Sequence, residues 1–212
     1  MSVETVYEPV LPGKVEWTGE NPGIFLKEHP DGAYTALATF FRLYVSPFGP
    51  GHMLLVLLDV DKTSLDDQAR FCVSDNPPMA EWLRNQFVRE FSFFRGVSGL
   101  ESIPVTGGSS FRCKGDARRE WREEVQWGSH RAVLWWGDLG EPFAVAFRPE
   151  HSATGRHTMP SVFIPAAEAT IEIDGRLARG RPMPRDLFGR PHSTALLAFS
   201  ETWVRSAPPT AP

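Results

Sequence analysis

The sequence predicts a mainly β (α+β) protein: an antiparallel barrel or strongly curved sheet, lipocalin-like in broad architecture, with one main helix packed on or across it. Three observations carry this. β-branched and aromatic stretches recur at intervals of about 8–12 residues, Pro/Gly-bearing runs separate them, and a single segment breaks the rhythm with helical spacing. The 212 residues are enough for one domain with a substantial core. That domain is read as residues 1–205, with the Pro/Ala/Thr-rich residues 206–212 as a disordered tail.

Pro47-Phe48-Gly49-Pro50-Gly51 divides residues 35–46 from 53–60, and Gly137-Asp138-Leu139-Gly140-Glu141-Pro142 divides 131–136 from 143–148. Both read as hairpin connections, which makes the flanking strands antiparallel neighbours. Met79, Trp82, Leu83, Phe87, Phe91 and Phe94 follow helical spacing and predict a helix over 77–95. Asn76 is its N-cap, Pro77 its first residue, and Gly96 occupies the place of a left-handed C-terminal cap. An aromatic stripe of this kind packs on a sheet or plugs a barrel end. Residues 117–127 fit either a helix capped by Asp116 or a strand. The strand separates Trp121, Glu123, Val125 and Trp127 more cleanly from Glu120, Arg122, Glu124 and Gln126, and it runs through Gly128-Ser129 into the next strand. Asp174-Gly175 marks a third turn after residues 169–173, with a polar connection over 176–191 leading to a terminal strand over 193–204.

A net charge of -4 and a pI near 5.9 provide no global basic field, so no nucleic-acid partner is expected. Of the 22 basic residues only Lys14, Lys27, Lys62 and Lys114 are lysines. Arginine forks suit internal ion pairs or an acidic ligand, although genomic base composition is the simpler source of the bias. Cys72 and Cys113 form no CxxC pair and are too few for a disulfide scaffold. Residues 1–9 lack both a basic start and an apolar core, and no stretch approaches the ~20 apolar residues of a membrane helix. The expectation is a cytoplasmic protein with no membrane partner.

Leu55-Val56-Leu57-Leu58-Asp59-Val60-Asp61-Lys62-Thr63 resembles the first motif of haloacid dehalogenase-type phosphotransferases, an apolar strand ending in DxDxT. The resemblance implies Asp59 as nucleophile and Asp61 as acid/base near magnesium, on a central parallel strand. A strand that follows a short turn from its predecessor is antiparallel instead, and no later strand ends in paired aspartates. Six histidines could supply a metal site, with His130, His157 and His192 the candidates, but no HxH or HExxH spacing is present. No metal or other cofactor is therefore assigned. Gly107-Gly108-Ser109-Ser110 precedes a strand and lacks the GxSxG elbow and the phosphate-loop patterns, so it reads as a loop.

Strand parity points further. Because successive side chains alternate faces, Arg42 falls with Phe40 and Tyr44, and Glu123 with Trp121, Val125 and Trp127. His130 falls with Ala132, Leu134 and Trp136, and Glu201 with Ala195, Leu197, Phe199 and Trp203. If these faces share an interior, it holds two carboxylates, a guanidinium and an imidazole among aromatic rings. Such a cavity suits cofactor-independent acid/base chemistry of the lyase, hydratase or isomerase type on an apolar or amphipathic molecule. The expected roles are Glu201 as acid/base, Glu123 as its counterpart, and Tyr44 or His130 as hydrogen-bond donor. Arg42 would anchor the substrate against Trp127, Trp136, Phe199 and Trp203. Two alternatives stand beside it: a binding protein of the same fold without turnover, and a metal-dependent barrel enzyme. A buried bridge from Arg42 to Glu123 or Glu201 would explain the same residues. Of Trp135 and Trp136 one must point outward, which raises a homodimer contact.

Overall fold

The computed structural model describes residues 11–62, 69–187 and 189–206. Residues 1–9, Thr63 of the DxDxT run and all of the expected tail except Ser206 lie outside the described residues. The chain forms β1 (Gly13–Glu20), β2 (Gly23–Lys27), β3 (Tyr34–Val45), β4 (Gly51–Leu58), β5 (Arg70–Ser74), α1 (Pro77–Gln86), β6 (Val105–Thr106), β7 (Ser110–Gly115) and β8 (Glu120–Trp127). It continues with β9 (His130–Leu139), β10 (Phe143–Phe147), β11 (His157–Ile173), β12 (Arg176–Leu177), β13 (Pro184–Leu187), β14 (Arg190–Ser193), β15 (Ala195–Phe199) and β16 (Glu201–Ser206). β13 and β14 make a separate two-stranded hairpin.

The large sheet runs β6-β5-β4-β3-β1-β16-β11-β9-β8-β7, and β2 with β15 makes a second connection between β3 and β11. It is strongly curved but not closed: β6 and β7, at its two ends, do not pair, so the barrel alternative gives way to an open sheet. No helix among the described residues is long and apolar enough to cross a membrane.

The β3–β4 hairpin forms as the Pro/Gly run predicts, pairing Phe40 with Leu54. β11 and β12 turn through Asp174 and Gly175, both at positive φ (50° and 79°), as a two-residue hairpin turn requires. The expected β9–β10 hairpin does not form. Both strands run antiparallel to β11, with β9 pairing Ala166 to Ile173 and β10 pairing Met159 to Phe163. β11 is 17 residues long, so it can seat the two strands one after the other. Gly140 N–H donates to the Pro165 carbonyl at 2.8 Å, which makes the Gly/Pro run an interruption in one edge and not a reversal.

Each face of the sheet carries its own core. On the concave side Phe40, Leu54 and Val56 of β3 and β4 meet Val125, Leu134, Trp136 and Ile171 of β8, β9 and β11. On the other side Trp17, Phe41, Met53 and Trp203 are covered by Met79, Leu83, Phe87 and Phe94. Side chains of this size contribute roughly 1.5–3 kcal/mol each when fully buried.

The helix is shorter than predicted. Asn76 caps it, its side chain accepting from Met79 N–H at 3.3 Å, but α1 ends at Gln86 and a short 3-10 turn over Val88–Glu90 follows. Geometry explains the break. At 100° per residue, Phe91 and Phe93 would point to opposite sides of a helix. In the structure Phe91 stacks on Trp203 and Phe93 stacks on Phe25, both on the sheet. Gly96 does take a left-handed φ of 86°, though as part of a turn well beyond the helix.

The predicted terminal strand is interrupted too. Phe199 and Val204 are five positions apart where their partners Val162 and Thr158 on β11 are four apart. Leu196 and Glu201 are likewise five positions apart where Gly23 and Gly19 are four apart. The extra residue is Ser200, at a left-handed φ of 54°. A bulge of this kind exchanges the faces of everything after it. Ala195 and Leu197 accordingly sit in the concave core, whereas Trp203 sits in the helix-covered core with Leu196 and Ala198.

Candidate functional site

Because of that bulge, Glu201 faces the helix-covered side. It lines a cavity of about 440 Å³ bounded by Phe25, Phe91, Phe93, Met159, Phe163 and Trp203. Asn21, Thr39 and Ser152 add polar groups, and the exposed Arg95 and His151 stand at the mouth. The volume falls within the ordinary range for small-molecule pockets. Glu201 itself is 3% exposed. The indole N–H of Trp203 donates to its Oε1 at 2.7 Å, and no Lys, Arg or His among the described residues pairs with it. Burial pushes its carboxyl up to about 7, against the smaller lowering pull of that indole. The result is a carboxyl able to change protonation state near neutral pH inside an aromatic chamber.

Arg42 and Glu123 come together on the concave side. Arg42 Nη2 donates to both Glu123 oxygens at 2.9 and 2.7 Å, the Trp121 indole N–H donates to Oε1 at 2.9 Å, and Arg42 Nη1 pairs with Glu20. Burial pushes the fully buried Glu123 up, and Arg42 pulls it back. The guanidinium is held between two carboxylates in a closed cluster. Tyr44, 59% exposed, joins only at the rim, its hydroxyl donating to Glu20 at 3.2 Å.

The expected convergence of Arg42, Glu123, His130 and Glu201 on one interior is therefore not what the chain builds. Glu201 is turned to the opposite face by the Ser200 bulge. His130 has the predicted parity, but it stands at the exposed beginning of β9, where its Nδ1 meets Asp174 at 2.8 Å. Of the aromatic residues expected to bind substrate, only Trp203 lines the Glu201 cavity. Trp136 is buried with its indole N–H on the Gly23 carbonyl at 3.0 Å, Phe199 packs edge-on against Trp121, and Trp127 stacks on Phe71. Trp135 is the outward partner of Trp136, bonded to Glu120 at 3.0 Å; its ring lies where a Cβ at Gly137 would stand.

The candidate metal ligands His130, His157 and His192 have separate surroundings. His157 is buried between Glu16 (3.0 Å) and the Thr154 hydroxyl (2.7 Å), and burial lowers its pKa. His192 stacks on Phe163, and burial lowers it to about 4. No group of three His, Cys, Asp or Glu among the described residues is placed to hold a metal. Asp59 and Asp61 lie at the end of β4, antiparallel to both its neighbours, and Arg179 bonds them at 3.0 and 2.7 Å. The parallel setting implied by the phosphotransferase resemblance is absent there.

Sequence reasoning missed Asn21, Thr39, Phe93 and Phe163 as cavity walls. The Asn21-Pro22 break between β1 and β2 was a usable signal for the first, since proline commonly ends or bends a strand. No family model, curated protein or solved structure matches the chain.

Proposed function

We propose that the chain binds an apolar or amphipathic organic molecule in the Glu201 cavity, with Glu201 as acid and base in a cofactor-independent proton transfer of the isomerase, lyase or hydratase type. The observation that carries this reading is a buried carboxyl, lining a largely apolar cavity, that no Lys, Arg or His among the described residues pairs with. A structural carboxylate in such surroundings is normally paired. Trp203 fixes Oε1, which leaves Oε2 to take a proton from an acidified C–H and return it to a neighbouring atom of the same substrate. The lipocalin-like comparison then reduces to a curved antiparallel sheet with a ligand cavity on the face away from its concave core.

The test uses 5-nitrobenzisoxazole, a flat substrate opened by a carboxylate that removes its C3 proton as the N–O bond breaks. Wild-type protein is expected to accelerate the opening with a rate that rises through pH 7, and Glu201→Gln to abolish it. An equal rate in both proteins would remove Glu201 as a base. The second reading, binding without turnover, is favoured by one feature: the other titratable residues among the described walls, Arg95 and His151, are exposed, whereas Glu201 is buried. Binding of the same compound, unchanged in Glu201→Gln and without any opening in either protein, would select it.

A further inference from the structure

The Glu201 cavity adjoins a second hollow of about 440 Å³, and the two share Phe147, His151 and Leu187 as walls. The outer hollow lies against β10 and the β13–β14 hairpin, and its charged walls are Arg148, Arg190, His151 and Glu150. Some arginines elsewhere in the molecule are bound to carboxylates: Arg42 to Glu20 and Glu123, Arg131 to Glu124, Arg179 to Glu28, Asp59 and Asp61, and Arg205 to Glu16, while others, such as Arg70, Arg84 and Arg156, donate to backbone carbonyls. Four stand close to the cavity and the outer hollow. Among the described residues Arg95, Arg148, Arg185 and Arg190 form no ion pair with a carboxylate. Arg190 lies over the Phe143 ring at 5.6 Å and Arg185 over the Phe93 ring at 5.3 Å, while Arg95 Nη2 donates to the Glu90 carbonyl at 2.9 Å. Glu150, the one acidic group among the described walls of the outer hollow, is 59% exposed and 3.9 Å from His151.

We infer that the ligand is an organic anion, with a flat apolar body in the aromatic chamber and its carboxylate, sulfonate or phosphate group in the outer hollow on Arg148 and Arg190. The inference rests on the cavity reading above and adds the ligand's charge and orientation. Planar guanidinium forks match such oxygens, and an anion supplies the counter-charge these arginines lack. The opposite polarity is unfavourable, because a second anionic end would meet the Glu201 carboxyl. The inner end of the ligand is therefore a neutral hydroxyl, carbonyl or C–H acid, and the acidic end faces outward.

Two fluorescent probes with the same ring system isolate the charge: 8-anilinonaphthalene-1-sulfonate and the uncharged N-phenyl-1-naphthylamine. The sulfonate is expected to bind the full chain on the order of tenfold more tightly than the neutral probe. In Arg148→Gln/Arg190→Gln, both positions being exposed, its affinity should fall to the neutral probe's level while the neutral probe is unaffected. Ser92→Trp, at an exposed position on the rim, should weaken both. Equal affinities in wild type, or a sulfonate unaffected by the double variant, would overturn the anion assignment and leave the cavity reading standing. Binding of both probes undisturbed by Ser92→Trp would place them outside the chamber and overturn the assignment as well. Failure of both probes to bind would remove the cavity reading and this inference with it.

Discussion

Two buried glutamates, one on each face of the same sheet, show how little burial alone says about role. Glu123 and Glu201 are both almost completely withdrawn from water, and burial pushes each carboxyl up to about 7. Glu123 spends its hydrogen-bonding capacity on Arg42 and the Trp121 indole. Glu201 has one indole donor and opens onto a cavity. The first arrangement locks β3 to β8 across the concave core. The second keeps a protonatable oxygen facing a cavity, and that difference in partner is what the proposed role of Glu201 rests on.

The largest test of that contrast is Arg42→Met. Removing the guanidinium leaves Glu123 buried without its counter-ion, and urea denaturation is expected to show a loss of about 3–5 kcal/mol. Glu201→Gln should do the reverse in a pH-dependent way. The Glu201 carboxyl titrates near 7 in the folded chain and near 4.5 when unfolded, so its stabilising contribution is complete below the unfolded value. That contribution is lost as pH rises through the folded one, by up to ~3 kcal/mol. Unfolding midpoints at pH 5 and pH 8 should differ less in Glu201→Gln than in wild type, and an unchanged difference would break the comparison. A smaller effect is expected at the bulge that parts the two faces. Ser200→Gly removes a Cβ from a left-handed residue and should raise stability by up to about 1 kcal/mol without moving the pH window. Smallest of all, His130→Ala at the exposed Asp174 pair should stay within about 0.5 kcal/mol by thermal melting.

Period-two alternation, Pro/Gly turns and a capped helix start were legible in the sequence because each depends on local chemistry. So was the Arg42–Glu123 neighbourhood, since β3 and β8 keep their parity where those residues lie. Long-range choices decided the rest. Nothing local says that Gly137 to Pro142 joins two strands sharing one edge of β11, or that Phe93 needs the sheet and so ends the helix pattern early. Glu201 stood out as a carboxylate on an apolar strand. Its face could not be read, because Ser200 carries none of the glycine signal that usually marks a left-handed bulge.

The pairing of β1 with β16 also bears on how the protein is made. Thr18 and Thr202 are hydrogen-bonded at 2.8 Å although 184 residues separate them. During synthesis β1 and β2 emerge early, and one backbone edge of each then waits for strands that come nearly a whole chain later. Contacts of such sequence separation slow folding, and an open edge recruits other chains in the interval. The ribosome thus delivers Glu201 after almost every described wall of its cavity, which takes shape only once β16 is free to pair. On the proposed reading, a bound small molecule acts only on the completed sheet, by stabilising it.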